Sequence, residues 1–355
     1  MIKGSWNPIT NEYSIEPDVE QLSKFLSGFF KRPDEYINYS VQNSANFYDD
    51  GKLIWVRPTS ASPAVPYHLQ YDYRIQKAGI HSWGDATVNG TYTIPVIFQD
   101  HKTAMVSRML DENRISKKDS ICPRVSDFQI KDGKPVFNLE IAKYRDQVGT
   151  NLSLDIPLAD PVTVNGSVCR TVREWDQRQA MIFDRGLPSF STSRLANTIG
   201  VAIGLSAFSR NKSKHYLYRF RSENVAVYPN TWHVPVSFAL AINESIQVGS
   251  IHDIGDLIKF DFPDELHQEA SLNREDFGPL KPLAFCRDLP RGGKPQFFCE
   301  VESLVPLEEL QSRIKDQSGE YRKSVRSSTL QQDLSDFPAS PELACFIALK
   351  ASENI

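Results

Sequence analysis

Two glutamates one helical turn apart are the clearest candidates for chemistry in this chain. Glu265 and Glu269 lie in the segment Phe260–Leu272, FDFPDELHQEASL. The segment also predicts a helix. Asp261 could cap it, Pro263 could occupy its first turn, and Leu266 and Ala270 would form its apolar stripe. The i, i+4 spacing places both carboxylates on one side of that helix. Such a pair suits a hard divalent cation such as Mg²⁺, although glutamates at this spacing are also common on solvated helix faces.

Residues that could contact a ligand lie on both sides of the glutamates. Trp232 belongs to Tyr228–Ser237, YPNTWHVPVS, which follows the strand-like segment His215–Arg221, HYLYRFR. After the glutamates comes the turn RDLPRGGK, whose cations could neutralise phosphate oxygens: Arg287, Arg291 and Lys294. A solvated hairpin tip with ordinary basic residues explains the same turn, so both interpretations stay open.

This order of elements resembles the Nudix hydrolase family. The family has an Arg-rich strand, a tryptophan turn, a glutamate-rich helix, a hairpin and a C-terminal helix, and its box is written GX5EX7REUXEEXGU, with U aliphatic. The last nine positions of the box fall on residues 264–272, where four residues match: Glu265, Leu266, Glu269 and Leu272. The resemblance covers roughly residues 197–314, about a third of the chain.

Three residues depart from the family box in the same segment. Asp264 replaces its arginine, Gln268 replaces one of its clustered glutamates, and Ser271 replaces its glycine. An amide oxygen is a poorer Mg²⁺ ligand than a carboxylate. The departures therefore weaken the metal site that the resemblance implies.

The front of the box can be aligned in two ways. Ungapped spacing puts Ser250 on the first glycine and Asp256 on the first glutamate, whereas alignment from the tryptophan turn puts Phe238 and Glu244 there, with an insertion of about a dozen residues. Neither alignment supplies the glycine. We favour the second, because Trp232 and its neighbouring proline anchor it.

The resemblance implies a metal-dependent diphosphate chemistry. Glu265 and Glu269 would be the catalytic carboxylates and would bind Mg²⁺ or Mn²⁺ together with Glu244, so that the cation polarises a diphosphate and activates water. The substrate would be a nucleoside diphosphate linked to another group, contacted by Trp232, Arg219, Arg287, Arg291 and Lys294. The alternative is a catalytically inactive Nudix-fold module that senses a ligand or mediates protein contact.

The net charge and the absence of common motifs disfavour nucleic acid as a partner and several other enzyme and zinc-binding classes. With 40 Lys+Arg and 44 Asp+Glu the formal charge is −4, which disfavours nucleic acid as a partner. The alternation in HYLYRFR is typical of a half-buried strand as well as of a stacking platform for single strands. The sequence has no P-loop, GxGxxG, GxSxG or HExxH motif and no paired Cys/His spacing for zinc.

The cellular setting is predicted from the same sequence. There is no signal-peptide core and no apolar run of about 18 residues, which predicts a cytoplasmic protein without a membrane partner. Five cysteines without a CxxC pair predict buried free thiols. Whether the chain forms a homodimer is left open.

Periodicity and turn signals predict an α+β chain of two units. Residues 1–160 form an α+β N-terminal extension, and residues 161–355 form a Nudix-like α/β/α sandwich with a mixed sheet and C-terminal helices. The predicted strands are Lys52–Arg57, Thr91–Phe98, Lys134–Tyr144 and His215–Arg221. The predicted helices cover residues 17–31 and 103–112, a loop covers 318–335, and Pro341–Ala351 is the last apolar segment.

Overall fold

A computed structural model places most of the chain after residue 81. It describes residues 4–7, 12–15, 53–56, 65–75, 82–180, 187–242, 246–315, 321–328 and 339–351. The helix predicted over residues 17–31 lies outside these ranges. The strands are β1 Gly4–Asn7, β2 Glu12–Ile15, β3 Leu53–Val56, β4 Val65–Asp72, β5 Asp85–Thr91, β6 Ile121–Lys131, β7 Lys134–Lys143, β8 Pro157–Val164, β9 Ser167–Thr171, β10 Gly200–Phe208, β11 Lys214–Arg221, β12 Trp232–His233, β13 Val236–Ala239, β14 Ile251–Asp253, β15 Lys281–Asp288, β16 Lys294–Glu302 and β17 Tyr321–Ser328. The helices are α1 Gln99–Asp111, α2 Tyr144–Val148, α3 Val172–Gln179, α4 Ile254–Ala270, α5 Leu307–Arg313 and α6 Pro341–Ala351.

A large mixed sheet organises the fold. Within the described residues it contains nine strands, in the order β12-β11-β10-β16-β15-β4-β3, with β13 paired to β10 and β17 paired to β11. Strands β10 and β16 run parallel, and the other pairs are antiparallel. The parallel pair at the centre makes the sheet mixed, as predicted.

Two helices cover opposite faces of this sheet. Side chains alternate along β10, so Val201 and Ile203 point to one face and Ala202 points to the other. Val201 and Ile203 share an apolar cluster with α4. Ala202 instead shares a cluster with Phe346 of α6. The predicted α/β/α arrangement is therefore confirmed.

A second, four-stranded sheet has the order β14-β5-β7-β6. It is also mixed, because β5 and β7 are parallel while the other two pairs are antiparallel. Phe137 of β7 packs edge-on against Phe285 of the large sheet, with ring centroids 5.0 Å apart. The two sheets therefore contribute to one apolar core. Strands β1 and β2 form one separate hairpin, and β8 and β9 form another.

Most of the predicted elements are present, and two predictions are wrong. Segment Thr91–Phe98 was predicted as a strand, but β5 ends at Thr91 and a 3₁₀ turn occupies Val96–Phe98. Part of the loop predicted over 318–335 is strand β17, which pairs with β11. Its sequence YRKSVRSS carries three cations, and charged residues are common on strands at sheet edges, so the polar pattern hid the strand.

The division of the chain at residue 160 stays a prediction. That position falls inside β8, and strands from both sides of it pair with each other. Strand β4 pairs with β15, and β5 pairs with β14. All five cysteines are free and buried, which confirms the predicted thiols. None of the described helices is long and apolar enough to cross a membrane.

Candidate functional site

Helix α4 carries the two glutamates but begins earlier than predicted. It starts at Ile254, and the Asp253 carboxylate accepts a hydrogen bond from the Gly255 N–H at 2.8 Å, so Asp253 is the N-cap. Asp261 was predicted as the cap and Pro263 as a first-turn residue, but both lie inside the helix. The prediction was wrong because the apolar residues of α4 upstream of Asp261 extend the same buried stripe.

Asp261 has a different role inside α4. Its carboxylate accepts a hydrogen bond from the Ala241 N–H at 2.8 Å. Burial raises the pKa of Asp261 to about 6. The helix ends at Ser271, which has a left-handed backbone with φ 56°. Glycine adopts that conformation most easily, and glycine is the family residue at this position.

Glu265 and Glu269 lie one turn apart on α4 but in different surroundings. Glu265 is half-buried, whereas Glu269 is buried. The Glu269 carboxylate accepts a hydrogen bond from the Ser237 N–H at 2.7 Å. Its backbone carbonyl accepts one from the guanidinium of Arg219, a fully buried residue of β11. Glu269 and Arg219 thus tie α4 to strands of the large sheet.

The described residues do not provide a ligand set that fits Mg²⁺ or Mn²⁺. No three His, Cys, Asp or Glu side chains among them are grouped so that they could hold a metal ion. One carboxylate oxygen of Glu269 is used by the Ser237 amide, and Gln268 is exposed. Glu244 lies outside the described residues, so its role as a ligand stays a prediction.

The turn between β15 and β16 is not a solvated hairpin tip. Gly292 and Gly293 have φ of 67° and 77°, and the three cations of RDLPRGGK are each at most 6% exposed. Arg287 donates hydrogen bonds to the carbonyls of Gly293 and Pro188, at 3.1 and 2.7 Å. Its guanidinium also lies 4.1 Å from the ring centroid of Phe190. Arg287 therefore fixes the turn to the preceding chain.

Arg291 lies between two buried carboxylates. Its Nε is 2.5 Å from Asp288 Oδ2 and its Nη2 is 2.5 Å from Glu342 Oε1. The guanidinium also lies 5.3 Å from the ring centroid of Tyr228. Arg291 holds the pKa of Glu342 well below its ordinary value, although burial opposes this shift. This ion pair joins the β15–β16 turn to α6.

Lys294 is the most unusual cation of the turn. It is 3% exposed, and its Nζ donates to Gln296 Oε1 at 3.3 Å. Burial, with repulsion from Arg291, lowers the pKa of Lys294 to about 7. Gly200 makes room for the amine, because a Cβ there would lie 2.2 Å from Lys294 Nζ. The predicted role of Arg287, Arg291 and Lys294 in contacting phosphate would need these buried contacts to open.

His233 and Trp232 pack against the start of α6. His233 Nδ1 is 2.5 Å from Ser340 Oγ, and its Nε2 is 2.9 Å from Glu342 Oε2. Burial, with repulsion from Arg221, lowers the pKa of His233 to about 4, so the ring is neutral at pH 7. Trp232 is buried and lies edge-on to Phe220 with ring centroids 5.4 Å apart, and the Arg326 guanidinium lies 4.7 Å from its ring centroid.

The buried contacts that join His233 and Arg291 to Glu342 were not predicted from the sequence. The sequence shows no carboxylate partner for His233, because Glu342 is more than a hundred residues away. One signal was available: Glu342 is an acidic residue in the otherwise apolar segment PELACFIAL. A lone charge in an apolar run indicates a buried partner of opposite charge.

Comparisons with known proteins do not assign a family. No protein-family profile matches the chain, and no curated protein matches it. Among solved structures, part of the chain is similar to a Nudix hydrolase from M. smegmatis, with 14% identity over 44% of this chain and 84% of the other, and a TM-score of 0.28. The NUDIX domain of Shewanella oneidensis NrtR, solved with ADP ribose, gives 13% identity, 44% and 88% coverage and a TM-score of 0.31. A mutT/nudix family protein from Listeria innocua is 17% identical over 43% of this chain and 91% of the other, with a TM-score of 0.28. These identities and TM-scores are too low to assign a family, so the protein is classified by its own structure as a mixed α+β protein.

Proposed function

We propose that this protein is a Nudix-like module that binds a nucleotide-like small molecule, such as a nucleoside diphosphate linked to another group, without hydrolysing it. The sequence resemblance supports the ligand class. We infer the absence of hydrolysis from the Glu269 carboxylate, because it is buried and accepts a hydrogen bond from the Ser237 N–H. A metal ligand with one oxygen already bound to a backbone amide is a weaker ligand, and Gln268 adds no charge.

Metal-dependent hydrolysis of the same ligand class is the second candidate. The shared face of α4 that presents Glu265 and Glu269 one turn apart favours it. Glu244 would then have to complete the site. In that case the cation would polarise the diphosphate, while the carboxylates of the chain would hold the cation in position.

One experiment separates the two candidates. The full chain is incubated with a panel of nucleoside-diphosphate-linked compounds, with Mg²⁺, Mn²⁺ or a chelator. Binding is measured by calorimetry and turnover by chromatography. We expect at least one compound to bind with equal affinity in the presence of metal and of chelator, and none to be cleaved.

The variants Glu265→Gln and Glu269→Gln serve as tests, and Glu275→Gln, at an exposed position, is the matched control. Glutamine at 269 keeps an oxygen that can accept the Ser237 N–H, so the fold should persist. Cleavage that requires metal and disappears in both test variants but not in the control would establish the hydrolase instead. If no compound binds, the proposal fails altogether.

A further inference from the structure

Three side chains that can do chemistry form a row across the large sheet. Asp288 of β15 lies directly opposite Tyr67 of β4 on one side and Lys294 of β16 on the other. Residues directly opposite each other on antiparallel strands point to the same face, with Cβ atoms about 5 Å apart. Tyr67 and Asp288 are 0% exposed and Lys294 is 3% exposed. The row lies on the α6 face, away from the face that α4 covers.

Polar atoms in and beside this row lack hydrogen-bond partners. Asp288 Oδ1 and Gln296 Nε2 are buried and make no hydrogen bond within the described part of the chain. The only group there that Tyr67 Oη contacts is the hydroxyl of Tyr228. Gln296 lies two residues from Lys294 on β16 and so points to the same face. A buried polar group without a partner is unfavourable, so these two neighbouring atoms of Asp288 and Gln296 indicate a bound polar molecule.

The amine of Lys294 is not neutralised by a carboxylate. Arg291 binds both nearby carboxylates, Asp288 Oδ2 and Glu342 Oε1, at 2.5 Å. No ion pair within 4.0 Å joins Lys294 to an acidic residue among the described residues. The pKa of about 7 leaves about half of the amines unprotonated at pH 7. A desolvated lysine beside another cation is an activated nucleophile.

The cluster also narrows the ligand class. The guanidinium of Arg291 repels a metal cation, and the free oxygen of Asp288 repels an anion. An uncharged group that can accept a hydrogen bond and react with an amine fits what remains. We propose that Tyr67, Asp288 and Lys294 form a carbonyl-binding site at which Lys294 forms an imine with a small aldehyde or ketone.

The reaction uses only these residues and the carbonyl compound. The lone pair of Lys294 Nζ attacks the carbonyl carbon, the C=O electron pair moves to oxygen, and a proton passes from nitrogen to that oxygen to give a carbinolamine. The Tyr67 hydroxyl protonates the departing hydroxyl, which leaves as water as the C=N bond forms. Asp288 accepts the remaining N–H proton and returns it to Tyr67. One amine and one carbonyl thus give one imine and one water, with no change in oxidation state.

The test traps the imine in the folded full-length protein. The protein is treated with glycolaldehyde and sodium cyanoborohydride at pH 7, and modified lysines are located by peptide mass spectrometry. Lys350 is the matched control, because it is also buried but its Nζ is 2.8 Å from Glu300 Oε2. Lys281 is the exposed control. We expect Lys294 to be modified at least about tenfold faster than either control lysine, because about half of its amines are unprotonated at pH 7.

Variants test the other two members of the row. Tyr67→Phe and Asp288→Asn should each slow modification of Lys294 several-fold and leave Lys281 unchanged, while circular dichroism reports the fold. Lys294→Met, which is close in volume, should abolish the product at that position. The proposal is overturned if Lys294 is modified no faster than Lys350, or if Lys281 is labelled while Lys294 is not. It does not depend on nucleotide binding, which is tested separately with Glu265→Gln and Glu269→Gln.

Discussion

A single arginine sets the charge state of the residues around it. Arg291 bridges Asp288 and Glu342, so both carboxylates share one guanidinium. Lys294 is left with only an amide oxygen as a hydrogen-bond acceptor among the described residues. A buried ammonium without a carboxylate shifts its pKa downward instead of remaining charged. The lowered pKa of Lys294 therefore arises because Arg291 already pairs with the two nearby carboxylates.

The charge state of Lys294 should appear in the pH dependence of stability. Its pKa falls from 10.5 in the unfolded chain to about 7 in the fold, so the unfolded state binds more protons between these values. Stability from this group therefore rises with pH across that window, by about 2 kcal/mol between pH 7 and 9. Urea unfolding at both pH values should show this rise in wild type and in Lys281→Met, but not in Lys294→Met. An equal rise in all three proteins would mean that the lysine is charged in the fold.

Gly200 should be needed for the position of the lysine. A Cβ there would lie 2.2 Å from both Lys294 Nζ and Gln296 Oε1, so Gly200→Ala must displace two buried side chains. We expect a loss of about 1–3 kcal/mol in the free energy of unfolding. Gly90→Ala is the control, because a Cβ at Gly90 has no atom within 4 Å, and it should change stability by less than about 0.5 kcal/mol. Equal stability of the two variants would contradict this packing.

At the scale of elements, helix α6 is attached to the sheet by polar contacts at its start and apolar contacts along its length. The Ser340 hydroxyl accepts a hydrogen bond from the Leu343 N–H at 3.1 Å and lies against His233. Further along, the ring of Phe346 fills the space beside Gly204, where a Cβ would lie within 2 Å of it. A neutral His233 is therefore part of how α6 begins.

Protonation of His233 should weaken this attachment. Its pKa is 6.5 in the unfolded chain and about 4 in the fold, so the unfolded state binds more protons between these values and stability falls as the pH is lowered. Asp176 and Asp261, whose pKa values burial raises to about 6, act in the opposite direction over part of the same range. The informative quantity is therefore the difference between wild type and His233→Gln. From pH 6.5 to 4.5, wild type should lose about 2 kcal/mol more than the variant, measured by urea unfolding. Parallel curves would show that the imidazole is protonated without cost.

Local patterns predicted the elements better than they predicted the site. Alternating residues identified β7 and β11, and the apolar segment Pro341–Ala351 is α6, because periodicity depends only on nearby residues. The contact between His233 and Glu342 depends on pairing between distant segments, which spacing along the chain does not encode. The basic turn was predicted to contact phosphate for the same reason: its buried partners Pro188 and Glu342 come from elsewhere in the chain.

At the scale of the whole molecule, the large sheet contains strands from both sides of residue 160. Strand β4 covers the edge of β15, and Tyr67 supplies one end of the row on the α6 face. On the other face, Phe137 packs against Phe285 and Phe297, with ring centroids 5.0 and 5.8 Å apart. Residues before the division thus complete both faces of a sheet whose central strands follow it.

This arrangement predicts how fragments of the chain behave. Residues 161–355 alone would expose the edge of β15 and the apolar surface that Phe137 covers, so we expect no cooperative thermal unfolding and weak near-ultraviolet circular dichroism. Residues 53–355 restore β3, β4 and the second sheet, and we expect both this fragment and the full chain to unfold cooperatively. Both fragments are compared with the full chain under the same buffer and scan rate. A sharp transition in 161–355, with near-ultraviolet signals like those of the full chain, would instead establish residue 160 as a true domain boundary, because only an independently stable core unfolds in that way.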